Sequence, residues 1–414
     1  MKIRSITYFC NPGWPLDEAV LQQAGTFIQA ARSAFEAAGY EVQTVRLAAP
    51  PFPLLMGLPD RQDASLAEAL QLVESYEKAA KNWGYDYISL GPALPAAPVS
   101  YTWIPDLLAA SQDAFFSGMM TTGQHGISLP AVRACAQVIH QAADITPDGF
   151  TNLRFAALAN VPAGAPFFPA AYHQGHQPSF ALAIEAADLA VQAFSQNGDL
   201  QGACQDLVAA IQSHALALTR VVEQLGQETA VFAGFDFSLA PFPEHSRSLG
   251  AAFEQLGVPR VGLPGSLAAA AIIAAALDQA HFPRAGFNGL FMPVLEDAIL
   301  ALRASEGSLE LKDLLLYSAV CGTGLDTVPL PGDTNPATLG AILLDLAALA
   351  QRLDKPLTAR LMPVPGKTAG DPTNFDFPYF ANSRVLKVNA GTLQRHLEGE
   401  VVFTLPSRKG RGSR

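Results

Sequence analysis

The fold class of this chain is decided by residues 3–47, IRSITYFCNPGWPLDEAVLQQAGTFIQAARSAFEAAGYEVQTVRL. The first stretch, Ile3 to Phe9, is rich in residues that favour β-strands. Apolar residues then recur at helical spacing from Leu16 to Ala38, and Gly39 ends that pattern. A second β-rich stretch follows from Tyr40 to Leu47. This order predicts a strand, a helix and a second strand, which is a βαβ unit.

The same alternation continues through the 414 residues. Further strands are predicted at residues 85–90, 153–159, 229–237, 325–330, 357–362 and 384–388. Helices are predicted at residues 66–83, 131–143, 179–196, 200–225, 246–256, 267–280, 294–304, 311–320 and 337–353. Repeated alternation predicts a largely parallel sheet or an α/β barrel. Because no linker interrupts the pattern, we expect one compact barrel domain over residues 1–406 and a disordered basic tail over residues 407–414.

Composition narrows the class of protein. The net charge of −11 argues against nucleic acid and anionic membranes as partners, because both attract basic surfaces. Hydrophobic residues make up 50% and charged residues 15%, against about 25% charged in a typical domain. This apolar composition predicts a large core, a buried subunit interface, or both. The longest apolar run, residues 267–277, is shorter than the roughly 20 residues of a membrane span.

The cysteines and the first residues indicate the compartment. The chain has four cysteines, and none forms a CxxC pair. They are too scattered for a disulfide scaffold or a structural zinc site, so reduced thiols are expected. Lys2 and Arg4 precede only a short apolar stretch without a small-residue cleavage site. These features predict a cytoplasmic protein.

Proline-rich loops follow four of the predicted strands, at residues 160–169, 238–243, 329–334 and 363–368. In α/β proteins, ligands bind beyond the carboxyl ends of parallel strands. Proline fixes φ and lowers the entropy lost when a loop is ordered, so stiff loops suit a preorganised site. The alternative is that these loops only cover the barrel and exclude water.

The same loops carry a family resemblance. It rests on five strings: NVPAGAPFFPAAYHQGHQPSFALAIE (160–185), GFDFSLAPFPE (234–244), GFNGLFMPVLEDAIL (286–300), GTGLDTVPLPGDT (322–334) and RLMPVPGKTAGDPTNFDFPYF (360–380). With them the chain resembles the bacterial and archaeal domain-of-unknown-function family 711, also called uncharacterised protein family 0210, over at least residues 150–390. The resemblance implies a ten-stranded α/β barrel related to glycyl-radical enzymes and ribonucleotide reductase large subunits. It also implies a homodimer.

Radical chemistry is not expected in spite of that relationship. A glycyl-radical enzyme presents a C-terminal glycine loop of the form Arg-Val-x-Gly-Tyr, and residues 401–414 contain no such string. Gly391 and Gly399 lie in polar or charged surroundings, which shelter a radical poorly. Cys321 directly precedes a strand, as the barrel cysteine of the superfamily does, but we expect this thiol not to be essential.

Asp326, Asp333 and Thr334 are candidates from the strand and turn near residue 330. Pro331–Gly332 fits the centre of a type II turn, after which Asp333 or Thr334 would cap the next helix. Capping alone explains both residues, but a helix N-terminus also attracts anions. Asp326 is expected to point into the barrel, where a carboxylate needs a partner.

His173 and Lys367 are each open to a functional interpretation and to an ordinary structural one. His173 and His176 have the spacing to hold a metal, and an imidazole titrates near neutral pH as a general acid or base. Either histidine can instead hydrogen-bond carbonyls that the prolines leave free. Lys367 follows a glycine, but Leu361 stands where a Walker A loop needs glycine. The lysine then either grips a carboxylate or phosphate or is a solvated charge.

Two further carboxylate positions lie at the ends of predicted elements. Asp236 lies between two phenylalanines after a strand, where burial would raise its pKa for acid/base work unless it serves a structural hydrogen-bond network. Glu296–Asp297 opens a predicted helix, and pairing with the helix dipole explains it. Asn160 begins the loop after its strand and is included as a ligand-binding residue.

Together these features predict an enzyme that acts on a small polar or anionic metabolite in the barrel mouth, with acid/base chemistry favoured over metal-assisted hydrolysis. The predicted catalytic residues are His173, Asp236, Asp326 and Asp333, and the predicted ligand-binding residues are Thr334, Lys367 and Asn160. The loops that carry His173, Asp236, Asp333 and Lys367 are expected to converge on one face. A divalent metal stays open as a cofactor. The alternatives are a non-catalytic ligand-binding or regulatory protein and a purely structural dimer.

Overall fold

The structure is a computed structural model that describes residues 1–408 except residues 62, 124, 125, 197, 227, 228, 321 and 390. Its strands are β1 (Lys2–Phe9), β2 (Val42–Ala48), β3 (Tyr87–Ser89), β4 (Ala114–Met119), β5 (Thr121–Thr122), β6 (Gly126–Ser128), β7 (Phe155–Ala159), β8 (Ser179–Glu185), β9 (Val231–Ala240), β10 (Gly324–Pro331), β11 (Leu357–Val364) and β12 (Val402–Thr404). Cys321 and most of the predicted basic tail, residues 409–414, lie outside the described residues.

The helices lie between the strands in sequence. They are α1 (Glu18–Ala37), α2 (Phe52–Leu55), α3 (Leu66–Asn82), α4 (Val99–Ala110), α5 (Leu129–Ala143), α6 (Ala187–Gln196), α7 (Leu200–Leu225), α8 (Leu249–Gln255), α9 (Ser266–Gln279), α10 (Ala298–Glu306), α11 (Leu311–Ser318) and α12 (Pro336–Leu353). Short 3-10 turns occupy Phe150–Arg154, His245–Arg247 and Arg395–Glu398. The mixed α/β class is therefore as predicted.

The opening βαβ unit confirms the prediction from residues 3–47. Strands β1 and β2 pair in parallel, with Ile3 opposite Val42 and Phe9 opposite Ala48. Asp17 caps α1 by accepting a hydrogen bond from the Ala19 amide at 2.9 Å. The apolar stripe of α1 is buried on the sheet. Gly39 has φ +87° just after the helix, a left-handed conformation that glycine adopts without strain.

Nine strands form one sheet in the order β10-β11-β7-β4-β3-β2-β1-β8-β9. The five central strands, β7 to β1 in that order, run parallel to one another. The pair β8–β9 lies antiparallel to β1, and the pair β10–β11 lies antiparallel to β7. The two outer pairs therefore have their carboxyl ends at the edge where the central strands begin. A small second sheet contains β12, β6 and β5.

One helix prediction was wrong in its first half. Residues 179–196 are not one helix, because Ser179–Glu185 form β8 and only Ala187–Gln196 form α6. The string SFALAIE is apolar and buried almost throughout. A strand that is buried on both faces has no polar alternation, so its hydrophobic pattern cannot be distinguished from that of a buried helix.

Residues 283–294 lie between the two outer strands β9 and β10. The Phe235 amide donates to the Pro283 carbonyl at 2.8 Å, and the Phe291 amide donates to the Ser238 carbonyl at 2.7 Å. On the other side, the Val294 amide donates to the Asp326 carbonyl at 3.0 Å. These contacts are isolated pairs rather than a regular ladder. The regular sheet therefore has nine strands, and the ten-stranded barrel stays a prediction.

In the part of the chain that the structure describes, one helix is long and apolar enough to cross a membrane by length and composition. This helix is α12, and half of it is buried inside the protein. It packs against α5 and β11. Burial of this kind is what a core helix of a folded domain shows, and the same length test is passed by such helices.

Candidate functional site

Arg360 is the centre of a buried ion cluster. It lies on β11, and its Nη2 donates to Glu296 Oε1 at 2.8 Å and to Asp326 Oδ2 at 2.9 Å. Its Nη1 also donates to the Leu153 carbonyl at 3.4 Å. Arg360, Glu296 and Asp326 are each at most 6% exposed. Buried charges persist only when they are paired and hydrogen-bonded, and this arginine meets that condition.

Arg4 extends the cluster from β1. Its Nη2 pairs with Oε2 of Glu296, so Glu296 is held between two guanidinium groups. Burial acts to raise the pKa of Glu296, but Arg4 and Arg360 outweigh it, and that pKa lies below its ordinary value. For Asp326 burial prevails over Arg360, and its pKa is raised. Glu296 is therefore ionised at neutral pH.

Arg46 is buried beside this cluster without a carboxylate of its own. It lies on β2, is 8% exposed, and its Nε donates to Thr44 Oγ1 at 2.9 Å. The guanidinium carbon lies 5.1 Å from the ring centre of Phe168 and 5.9 Å from that of Tyr87. Within the described part of the chain, no carboxylate forms an ion pair with Arg46, since Glu296 and Asp326 pair with the other two arginines.

The charge of Arg46 is costly in this position. Burial, followed by the nearby charge of Arg4, lowers the pKa of Arg46 to about 9. The guanidinium is still charged at neutral pH. Removal of an ion from water carries an effective penalty of several kcal/mol when no partner compensates it. A buried cation without a partner in the protein can instead be neutralised by a bound anionic ligand.

Backbone irregularities position two members of the cluster. Arg4 lies at a register shift between Ile3 and Ser5 of β1. Asp326 lies at a second register shift, between Leu325 and Val328 of β10. Bulges redirect side chains and are frequent beside functional sites.

Thr327, the residue after Asp326, has an unusual backbone conformation. It is fully buried and has φ +40°, which is strained for a β-branched residue. Its Oγ1 accepts a hydrogen bond from the Leu295 amide at 3.4 Å. Strain of this kind persists only where the surrounding structure imposes it, and it concentrates at functional sites. Here it adjoins the carboxylate that pairs with Arg360.

The three arginines line a cavity at the edge where the central strands begin. We call it the arginine cavity. Its empty volume is about 630 Å³, a figure that includes the space open to solvent at its mouth. Seven of its 14 lining residues are Phe or Tyr. The lining residues are Arg4, Gln43, Thr44, Arg46, Tyr87, Phe115, Leu153, Phe167, Phe168, Phe291, Glu296, Arg360, Phe377 and Tyr379.

Three of the predicted site residues lie in turns at this edge but do not line the arginine cavity. The turns after β10 and β11 are joined by a hydrogen bond from the Gly332 amide to the Lys367 carbonyl at 3.0 Å. Asp333 is exposed, and Lys367 is partly exposed. The Oγ1 of Thr334 donates to the Pro331 carbonyl at 2.6 Å. Asn335 caps α12, so the prediction that Asp333 or Thr334 caps this helix was wrong.

Asp236 has a structural hydrogen-bond network. It is fully buried on β9 and accepts hydrogen bonds from the amides of Phe287 at 2.7 Å and Asn288 at 3.0 Å. The hydroxyl of Ser238 donates to the same carboxylate. Burial raises the pKa of Asp236 to about 6 in spite of these donors. Its contacts attach residues 286–288 to β9, and it does not line the arginine cavity.

His173 and Asn160 lie at the opposite edge, where the central strands end. The His173 amide donates to the Ala49 carbonyl at 3.0 Å, and burial lowers the pKa of its imidazole. The imidazole Nε2 is 3.1 Å from the Gly175 carbonyl oxygen. This contact matches the alternative in which the loop histidine only hydrogen-bonds a free carbonyl. Asn160 accepts a hydrogen bond from Gln351 at 2.8 Å. Each residue lines a separate open pocket at this edge.

The expectation that these loops converge on one face was therefore wrong. It assumed that all strands run in one direction. Because β10 and β11 run antiparallel to β7, the loops after them emerge at the edge opposite to His173 and Asn160. Of the predicted site residues, only Asp326 belongs to the ion cluster of the arginine cavity.

Sequence reasoning missed Arg4, Arg46, Arg360 and Glu296. The available signal was a lone arginine within each of three otherwise β-rich strings, KIRSITYF, VQTVRLA and LTARLMPV. The sequence pattern attributes both Glu296 and Asp297 to pairing with the helix dipole. That explanation holds for Asp297, which caps α10, but not for Glu296. Among the described residues, no group of three His, Cys, Asp or Glu side chains is placed to hold a metal ion.

A family model described as "Uncharacterised ACR (DUF711)" matches residues 1–382 of the chain. The chain belongs to the DUF711 family. The match includes every residue that lines the arginine cavity, from Arg4 to Tyr379. The family resemblance of the loop strings is thereby confirmed.

Relatives of the DUF711 chain occur in archaea and bacteria. A UPF0210 protein of Pyrobaculum arsenaticum is 34% identical over 349 residues, which cover 80% of this chain and 76% of the relative. A UPF0210 protein of Methanopyrus kandleri is 30% identical over 371 residues, covering 86% and 81%. A third, from Oleidesulfovibrio alaskensis, is 31% identical over 330 residues, covering 74% and 72%.

Proposed function

We propose that this DUF711 protein binds a small anionic metabolite in the arginine cavity. The observation that carries the proposal is Arg46, a buried guanidinium with aromatic neighbours and no carboxylate partner in the described chain. The adjacent arginines keep the local potential positive, although Glu296 and Asp326 compensate them in part. In a site of low dielectric constant, such a group interacts strongly with an anion.

The proposed location also agrees with a barrel mouth. Residues 283–294 contact both β9 and β10, and we propose that they act as the tenth strand and close the sheet. The barrel would then have two sets of five strands running in opposite directions. The arginine cavity would then lie inside the barrel, lined by side chains from β1, β2, β3, β4 and β11. Ten is also the number of strands that the family resemblance implies.

Whether the bound metabolite is also converted depends on Glu296. It is the one carboxylate that lines the arginine cavity among the described residues. We propose non-redox acid/base chemistry with Glu296 as the acid/base group that lines the cavity, in a cytoplasmic homodimer. The alternative is a ligand-binding protein without turnover, in which Glu296 only orients Arg4 and Arg360. In both cases the ligand has no contact with six of the predicted site residues. These are His173, Asp236, Asp333, Thr334, Lys367 and Asn160.

Thermal unfolding in the presence of small carboxylates and inorganic phosphate tests the proposal. A ligand at 100 times its Kd stabilises the folded state by about 2.7 kcal/mol. We expect this stabilisation in the wild-type protein and its loss in Arg46→Met. Lys367→Met is the matched control, since Lys367 lies at the same edge outside the cavity. Loss of stabilisation in Lys367→Met but not in Arg46→Met would place the site at the turns and refute the proposal.

A bound compound then separates enzyme from binding protein. If the protein is an enzyme, NMR spectra of the compound will change with time in the presence of wild-type protein. Glu296→Gln would retain binding and stop the change. An unchanged spectrum over days with saturating protein would favour the ligand-binding alternative.

A further inference from the structure

The geometry of Arg46 restricts the anion that it can hold. Its Nε is occupied by the Thr44 hydroxyl, which leaves the edge formed by Nη1 and Nη2. The ring of Phe168 lies near one side of the guanidinium, and the ring of Tyr87 lies slightly farther away. The hydrogen bonds of the free edge therefore lie in the guanidinium plane. Two parallel donors in one plane match the two oxygens of a carboxylate, or two oxygens of a phosphate.

The charge of the cavity distinguishes these two anions. Arg4, Arg46 and Arg360 contribute three positive charges, and Glu296 contributes one negative charge. Asp326 accepts hydrogen bonds from Arg360 on both carboxyl oxygens, as a carboxylate does, and contributes a second negative charge, so one positive charge remains. The nearby pair of Glu185 and Arg247 is neutral in sum. A monoanion restores neutrality, whereas a phosphate dianion would leave one buried negative charge. Uncompensated buried charge is unfavourable, so the balance favours a monocarboxylate over a doubly charged phosphate monoester.

The aromatic residues that line the rest of the cavity indicate which kind of group the ligand carries beside its anion. The rings of Phe115 and Phe168 meet edge to face with centres 5.4 Å apart, and Phe115 meets Tyr87 in the same way at 5.2 Å. Phe291 and Phe377 line other parts of the cavity. Rings of this kind stack on flat groups and make offset or edge-to-face contacts with them. An aliphatic chain would fill the space but would not use the ring quadrupoles.

We infer that the ligand of the arginine cavity is a small monocarboxylate with a flat, aromatic or conjugated body. The carboxylate pairs with the Nη edge of Arg46, and the flat body packs among Phe115, Phe168 and Phe291. This inference deepens the proposed function and rests on it. It adds the class of anion and the shape of its body, and each of these can fail while anion binding itself holds.

Titration calorimetry with four matched probes tests each part. The probes are benzoate, cyclohexanecarboxylate, phenyl phosphate and benzamide, measured with the full-length protein. We expect benzoate to bind at least roughly tenfold more tightly than each of the other three, the equivalent of one charge-assisted hydrogen bond or one ring contact. Arg46→Met should abolish benzoate binding, and Arg46→Lys should weaken it because lysine offers no planar edge. Arg260→Met, at an exposed arginine, should leave binding unchanged.

A Phe168→Leu variant tests the flat body separately. It should weaken the binding of benzoate but leave that of cyclohexanecarboxylate unchanged, and urea unfolding confirms that the variant is folded. Equal binding of the two carboxylates to the wild-type protein would refute the flat body. Phenyl phosphate binding as tightly as benzoate, and depending on Arg46, would refute the monocarboxylate while the proposed function stands. Failure of all four probes to bind in a manner that depends on Arg46 would overturn both proposals.

Discussion

Arg46 and Arg360 are both buried arginines, but their surroundings differ. Arg360 has carboxylate partners in Glu296 and Asp326, whereas Arg46 has a hydroxyl and two aromatic rings. Paired charges in a protein interior support each other, and removal of one partner leaves the other uncompensated. An unpaired charge instead opposes folding and persists where function requires it. The same substitution at the two positions therefore has opposite expected effects.

Replacement of Arg46 by methionine should stabilise the ligand-free protein. The variant removes a desolvated cation and keeps most of the side-chain volume, and we expect a gain of about 1 kcal/mol in the free energy of unfolding. Arg360→Met should lower that free energy by about 3–5 kcal/mol, because Glu296 and Asp326 lose their shared partner. Urea unfolding without added anions measures both. If both variants are destabilised to the same extent, Arg46 is a structural residue and not an anion-binding residue.

Asp236 gives a pH-dependent prediction. Its pKa is about 6 in the folded protein, mainly through burial, and near 3.8 when unfolded. The folded state therefore binds the proton more tightly, so this group's contribution to stability is greatest at low pH and is lost as pH rises through about 6. Relative to Asp236→Asn, which cannot titrate, wild-type stability should increase by about 1 kcal/mol between pH 7 and pH 5. Urea unfolding at pH 5, 6 and 7 measures the difference, and a difference that falls toward acid would contradict the assignment.

At the scale of elements, the sequence predicted what depends on local pattern. The β1-α1-β2 unit was correct because apolar spacing, a helix cap and a terminal glycine agree with one another. The strand β8 was missed because it is buried along its whole length. Strand direction was also missed, since the alternation of strands and helices does not show that β8 to β11 run against the central strands. That direction decides which loops meet, so the predicted site could not be placed.

A glycine at the start of β10 gives a prediction about the pairing of β10 with β11. Gly324 has φ +106°, and an added Cβ would overlap the Thr358 carbonyl of the paired strand β11. Gly366 has φ +71° with nothing within 4 Å of an added Cβ. Gly366→Ala should cost about 1 kcal/mol of stability from backbone strain alone. Gly324→Ala should cost clearly more, because β10 and β11 must also separate. Thermal unfolding of the two variants measures the difference, and equal losses would show that the strands accommodate the methyl group.

At the scale of the whole molecule, the arginine cavity is built from strands that are distant in the sequence. Arg4, Arg46 and Arg360 come from β1, β2 and β11. Each arginine alone is an ordinary residue in the sequence, and only the folded chain brings the three to one cavity. A sequence can signal a charged residue inside a β-rich string, but not which charges share a space. Asp326 was found because an inward carboxylate needs a partner, while the partner itself was not identified.

Subunit assembly is a separate prediction at this scale. The chain is 50% hydrophobic and 15% charged, and the family resemblance implies a dimer. We expect sedimentation at micromolar concentration to give about twice the chain mass of 43.7 kDa. A single species at the monomer mass over that concentration range would refute the dimer.

A crystal soaked in sodium bromide would show whether Arg46 holds an anion. Bromide is a monoanion that is identified by its anomalous scattering, whatever the natural ligand is. We expect an anomalous peak inside the arginine cavity, in contact with the Nη atoms of Arg46, and no such peak in Arg46→Met crystals. Bromide peaks at surface lysines with none in the cavity, or an Arg46 side chain paired with a carboxylate of the protein, would show that Arg46 does not hold an anion.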